Sequence, residues 1–176
     1  MFNKNDIIEI EIIDQGTTGE GIGKVDGYAL FVKDAVIGDV VKVKIMKAKK
    51  NFAFAKLLEV VKPSPYRVEP LCPEANRCGG CQLQAMNYKQ QLEFKEKKVY
   101  NSIKRIGGIE ELAVKGHEDN GPFHYRNKAQ FPVGLDREGN IVSGFYAGRT
   151  HSIISVDNCL LGIEKDGDVN GTVMHI

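Results

Sequence analysis

The chain has 176 residues, 42% of them hydrophobic and 27% charged, with a formal net charge of +1. That suits one ordinary domain or two small ones, and it is too apolar for a disordered chain. The near-zero net charge confines any contact with nucleic acid or membrane to local patches, and no apolar stretch approaches the roughly 18 residues of a membrane span.

The opening MFNKNDIIEIEI has no apolar h-region, so a cytoplasmic protein is expected. Ile8, Ile10 and Ile12 alternate with Ile7, Glu9 and Glu11, the period of a half-buried strand. Gly16 to Gly23 is expected as a turn region, followed by an apolar run over 28–32. Val41, Val43 and Ile45 alternate with lysines, and 52–61 reads as a last strand. Five short strands in about 60 residues predict a small closed β-barrel, which leaves no exposed strand edge. Pro63-Ser64-Pro65 reads as a linker. A cysteine loop follows, then a helix capped by Asn87, with Gln90 three residues on and Gly107-Gly108 as the stop. Its apolar stripe is Tyr88, Leu92, Val99, Ile103 and Ile106. Beyond residue 123, strands are expected over 127–135, 141–147 and 151–156, with a further strand beginning at Met174. The fold class is therefore mostly β with α/β elements. The expected segments are a five-stranded OB-like barrel (1–62), a cysteine loop with one helix (63–108) and an antiparallel sheet (109–176).

Cys72, Cys78 and Cys81 form C-x5-C-x2-C, and Cys159 lies far downstream. In a cytoplasmic chain such a set points to metal or redox chemistry before disulfides. Zinc sites usually pair two C-x2-C knuckles. Three clustered thiolates and one remote one fit a cubane iron–sulfur cluster better, because four thiolates must surround a body larger than one ion. Gly79 and Gly80 would let the backbone close around it. A structural zinc, a redox pair or free thiols are the competing readings.

Lys42, Lys44, Lys47, Lys49 and Lys50 occur within nine residues with no acid among them, and Phe52 and Phe54 follow. On a small barrel this suits single-stranded RNA, with lysines on phosphates and rings on bases. A solvated strand edge is the equal competitor. Gly19 to Lys24 superficially resembles a phosphate loop but leads into a strand, so no helix N-terminus is available for phosphate. The histidines, His117, His124, His151 and His175, have no ligand spacing and are read as non-catalytic.

GEGIGKVDGYALFVKDAVIGDVVKVKI resembles a TRAM domain, a small RNA-binding β-barrel. CPEANRCGGCQLQ, YRNKAQFPV and GFYAGRTHSIISVDNC resemble the iron–sulfur RNA uracil-5-methyltransferases, in family order over about residues 5–160. Radical methylthiotransferases also carry TRAM domains, but after their cluster and with C-x3-C-x2-C spacing. The resemblance implies that Cys72, Cys78, Cys81 and Cys159 bind a [4Fe–4S] cluster. It further implies that the barrel and the YRNK segment, with Arg126 and Lys128, help hold RNA. Having both barrel and cluster resembles the branch acting on large-subunit ribosomal RNA. In such enzymes a further S-adenosylmethionine-binding domain carries an attacking cysteine and a glutamate base. Nothing in this sequence matches that domain, so a fragment without catalytic residues, inactive alone and monomeric, is expected. After Leu161 the sequence departs from the family pattern. A stand-alone RNA-binding adaptor with structural zinc is the alternative.

Overall fold

The computed structural model describes residues 2–116 and 121–163. The expected strand start at Met174, together with His117 and His175, lies outside the described residues. Among the described residues no helix is long and apolar enough to cross a membrane.

Five strands form a closed barrel: β1 (Ile7–Gln15), β2 (Gly21–Val25), β3 (Tyr28–Lys33), β4 (Val40–Ala48) and β5 (Phe52–Lys62). Their order around the barrel is β1-β2-β3-β5-β4, with β4 closing on β1 and only β3–β5 parallel. The alternation in the sequence sorts the faces. Ile10, Ile12, Leu30, Val32, Val41, Val43, Ile45 and Ala53 are buried inside, and the lysines between them point out. The barrel is the expected one, but the stretch expected as a turn contributes a strand. At Gly23 a Cβ would fall 2.7 Å from Ile10 Cδ1 and 2.8 Å from the Glu11 carbonyl oxygen, so glycine here is what lets β2 press against β1.

Pro63 to Pro65 is not a loose linker. Asp39, fully buried, accepts N–H bonds from Val36 at 2.7 Å and from Ser64 at 2.9 Å. Arg67 closes the arrangement with Nε at 3.0 Å from both Asp39 carboxylate oxygens and a terminal nitrogen at 2.6 Å from Oδ2. The same nitrogen donates to the Asp34 carbonyl at 2.8 Å. A buried carboxylate needs these donors, and here they bind the chain after β5 to the barrel.

Helix α1 (Tyr88–Gly107) begins as expected: Asn87 accepts the Gln90 N–H at 2.9 Å, and Gly108 ends the helix in the left-handed conformation. No residue of α1 is buried, and Val99 and Ile106 of the apolar stripe are exposed.

The remaining sheet has the order β6-β7-β8, with β6 (Val133–Leu135), β7 (Ile141–Tyr146) and β8 (Ile153–Ser155), all antiparallel. The strand expected over 127–135 is confined to its last three residues. Pro132, which has no N–H to give a ladder, stands just before it. The YRNK segment is therefore irregular, joined by an isolated bridge between Arg126 and Gly162.

By contact density the chain divides into two compact units. One holds Met1–Glu69 and Gln82–His117, and the other Pro70–Cys81 and Glu118–Ile176. The barrel and α1 thus share a unit, and the cysteine loop belongs with the β6–β8 sheet.

Candidate nucleic-acid interface and cysteine site

The outer face of the barrel is set by register. Lys44 pairs with Lys56 across β4–β5, and Lys56 pairs with Lys33 across β5–β3, so three cations stand side by side. The neighbouring row runs Lys47, Phe54, Phe31, Ile22. Phe52 and Phe54 are half-buried and alternate with buried Ala53 and Ala55, so they are not core side chains. Phe31, Phe52 and Phe54 form a triangle with ring centroids 5.5 to 5.8 Å apart, two of the three contacts edge-to-face. This geometry is favourable for aromatic rings. Each ring keeps part of its surface in solvent.

The lysine run that is continuous in sequence is divided by the fold. Lys42 lies between Glu9 on β1 and Glu59 on β5, where opposite charges across strands offset one another. Lys49 and Lys50 are exposed in the β4–β5 turn. That turn is clamped by the Lys49 N–H on the Phe52 carbonyl at 2.8 Å, and the Tyr28 hydroxyl stands 2.7 Å from both the Lys49 and the Phe52 carbonyls. Lys33, Lys56 and Phe31 are additions to the expected set. Their only signal in the sequence is an outward position in an alternating strand.

The four cysteines lie in one compact unit, all half-buried and none in a disulfide. Cys78 bridges Ala147 at the end of β7, and the Gly79 N–H donates to the Tyr146 carbonyl at 2.9 Å. A Cβ on Gly79 would lie 2.9 Å from that oxygen and 3.0 Å from the Gly148 backbone, so glycine is required for the loop to reach the strand. The Gly80 N–H donates to Cys78 Sγ at 3.3 Å, the kind of outer contact that orients a sulfur ligand.

Cys159 sits in a turn closed by the Gly162 N–H on its carbonyl at 2.9 Å. The next two carbonyls, of Leu160 and Leu161, accept the N–H groups of His124 and Arg126, each at 2.9 Å. Arg126, half-buried, therefore braces the Cys159 turn through its backbone, and Lys128 is exposed. Among the described residues no three of His, Cys, Asp and Glu stand close enough to share one metal ion. Four thiols in one unit, none in a disulfide and one with an N–H on its sulfur, are the donor type of a thiolate-held cluster.

Residues 2–58 match the profile of the TRAM domain. The chain is 46% identical over 168 residues to an uncharacterized RNA methyltransferase of Halalkalibacterium halodurans, covering 95% of this chain and 36% of that protein. It is also 46% identical over 176 residues to an uncharacterized RNA methyltransferase of Clostridium acetobutylicum, covering 98% of this chain and 37% of that protein. The chain thus spans little more than a third of the length of these relatives. Among solved structures, Pyrococcus abyssi tRNA (uracil-54, C5)-methyltransferase in complex with S-adenosyl-L-homocysteine is similar, with 26% identity and a TM-score of 0.58 over 94% of this chain and 36% of that one.

Proposed function

From a TRAM domain at residues 2–58 and a likeness to RNA methyltransferases over nearly the whole chain, we propose that this chain is the RNA-recognition part of a methyltransferase. The reaction is transfer of methyl from S-adenosylmethionine to C5 of uridine in large-subunit ribosomal RNA, in the cytoplasm, by a monomer. The observation that carries the reading is the outer barrel face, where the Lys44–Lys56–Lys33 row adjoins the Phe31–Phe52–Phe54 triangle. Lysines neutralise phosphates whatever the sequence, and exposed rings stack on unpaired bases. Lys47, Lys49 and Lys50 extend that surface into the β4–β5 turn, while Lys42 has Glu9 and Glu59 as its cross-strand neighbours and Lys33 is paired with Asp34 at 3.5 Å. Arg126 and Lys128 supply a second phosphate contact in the other unit.

In this reading Cys72, Cys78, Cys81 and Cys159 hold a [4Fe–4S] cluster. Its role is to tie the Cys72–Cys81 loop to the sheet, since ligand binding is folding free energy for the parts it joins. S-adenosylmethionine, when bound by the full-length enzyme, supplies the methyl group. The similar solved structure is that of a tRNA enzyme, so the test uses both RNA classes. Binding of a uridine-containing ribosomal hairpin and of a tRNA hairpin is measured at several salt concentrations. The Lys44/Lys47/Lys56 triple alanine variant should flatten the log-affinity against log-salt slope by about 2, at about 0.7 per lost phosphate contact. An unchanged slope removes this face from the RNA surface, and stronger binding of the tRNA hairpin overturns the ribosomal assignment.

A further inference from the structure

Phe31 faces two ways. Its ring belongs to the aromatic triangle, and it also lines a cleft of about 740 Å³ between the barrel wall and α1. The barrel side of this cleft offers the apolar Ile22, Phe31 and Ile37 next to Asp14, Gln15 and Thr17. The opposing helix wall sets Phe94 and Ile106 beside the amides of Gln90 and Asn101 and the cations Lys98 and Arg105. A cleft of this volume falls within the roughly 300–1,000 Å³ of small-molecule sites.

We infer that the cleft receives one unstacked nucleotide of a single-stranded RNA whose neighbouring bases lie on the Phe31–Phe52–Phe54 triangle. The inference rests on the RNA-binding reading of that face. A nucleobase has apolar faces, hydrogen-bonding edges and an attached anionic phosphate. It therefore needs one flat apolar wall, amides that both donate and accept, and a cation at the rim. Ile22 and Phe31 supply the first, Gln90 and Asn101 the second, Lys98 and Arg105 the third. Three cations line the cleft against two acids, Asp14 and Glu93, and one cation, Lys97, is already taken by Asp14 at 2.8 Å. Lys98 donates to the Thr17 carbonyl at 2.9 Å and keeps its charge. Because Phe31 is common to triangle and cleft, a strand crossing the barrel passes from one to the other without leaving the aromatic surface.

The test is Ser102→Trp, which fills the cleft from an exposed helix position, compared with Phe52→Ala, which thins the triangle alone. The probe is a short uridine-rich RNA carrying 2-aminopurine, or an abasic site, at each position in turn. For the wild-type chain, one position should show a fluorescence change distinct from its neighbours. Ser102→Trp should abolish that signature and weaken binding about thirty-fold, the middle of the range for one base contact. With an abasic residue at that position, wild type and Ser102→Trp should bind equally, while Phe52→Ala still binds more weakly. Should Ser102→Trp lower the melting temperature, Asn101→Ala serves the same comparison without added bulk. Wild-type binding by the cleft variants with weakened binding by Phe52→Ala overturns the cleft and leaves the triangle standing. Failure of the wild type to bind RNA overturns both. A change in sedimentation coefficient without a change in RNA affinity would make a second copy of the chain the occupant and overturn the proposal.

Discussion

Removing the Arg67 guanidinium should unfasten the chain from the barrel immediately after β5. Asp39 is fully buried and receives three side-chain contacts from Arg67, at 2.6, 3.0 and 3.0 Å. Arg67→Ala leaves the carboxylate with the Val36 and Ser64 N–H donors and no counter-charge. Breaking a buried pair from one side costs about 3–5 kcal/mol. The two surviving donors, and an arginine side chain that is itself 18% exposed, set the expectation at the lower end, about 3 kcal/mol. At about 2–4 °C per kcal/mol for a chain of this size, the melting temperature should fall by about 6–12 °C. Arg67→Lys keeps the charge but loses the fork that engages both carboxylate oxygens and the Asp34 carbonyl, so about 1–2 kcal/mol is expected. Lys97→Ala is the control: it breaks a pair whose side chains are 60% and 49% exposed, and pairs of that kind contribute less than about 1 kcal/mol. The assay is urea unfolding, with amide exchange at buried Val41 and Val43 reporting on the barrel itself. An Arg67→Ala chain no less stable than Lys97→Ala would refute the idea that Asp39 fastens this segment.

Phe54→Ala should weaken RNA binding by roughly 1–3 kcal/mol with the salt slope unchanged, because stacking is not ionic. Its melting temperature should hold, since Ala53 and Ala55 and not Phe54 face the core; a large drop in melting temperature would mean the ring is structural. Cys159→Ala, purified without oxygen, should lose iron and sulfide while amide exchange in the barrel stays as in the wild type; stoichiometric zinc in the wild-type chain would defeat the cluster assignment. Gly79→Ala should also lower iron content, by at least half, because its methyl meets the Tyr146 carbonyl and lifts the loop from β7. Asp14 is held below the ordinary carboxylate range. Burial works to raise it, but hydrogen bonds from Lys97 and the Gln15 N–H, with the charges of Lys97 and Lys24, outweigh that. Since its folded value is the lower one, ionised Asp14 stabilises the fold above the ordinary carboxylate value of 3.8, and this contribution is lost as pH falls through the folded value. In Lys97→Ala the Asp14 titration midpoint, followed by NMR, should move up; an unmoved midpoint would show that Lys97 does not hold it.

Alternation was enough to find the barrel. Ile8, Ile10 and Ile12, and later Val41, Val43 and Ile45, occur at the period that sorts a strand into an inner and an outer face, and that period is local to each strand. The Asn87 cap and the Gly108 stop of α1 were legible for the same reason: a cap is a contact within one helical turn. The β2 strand was hidden because its two glycines look like turn residues, and only the close approach of Ile10 and Glu11 to Gly23, and of Ile12 and Ala35 to Gly21, explains them.

What the tertiary structure decided is which residues stand next to one another across strands and loops. The run Lys42 to Lys50 is one patch in sequence. Register gives Lys42 to the acids Glu9 and Glu59 and brings Lys56 and Lys33, from other strands, beside Lys44. The phenylalanines could be read as core or surface until the pairing placed Ala53 and Ala55 inside. Likewise, the cysteine loop and the helix are continuous in sequence, yet the loop is hydrogen-bonded to the end of β7 and the helix stands with the barrel. Sequence periodicity reports the direction in which a side chain points. Its neighbours are set by which strands pair and in what register, and a one-residue slip would exchange every inward residue for an outward one.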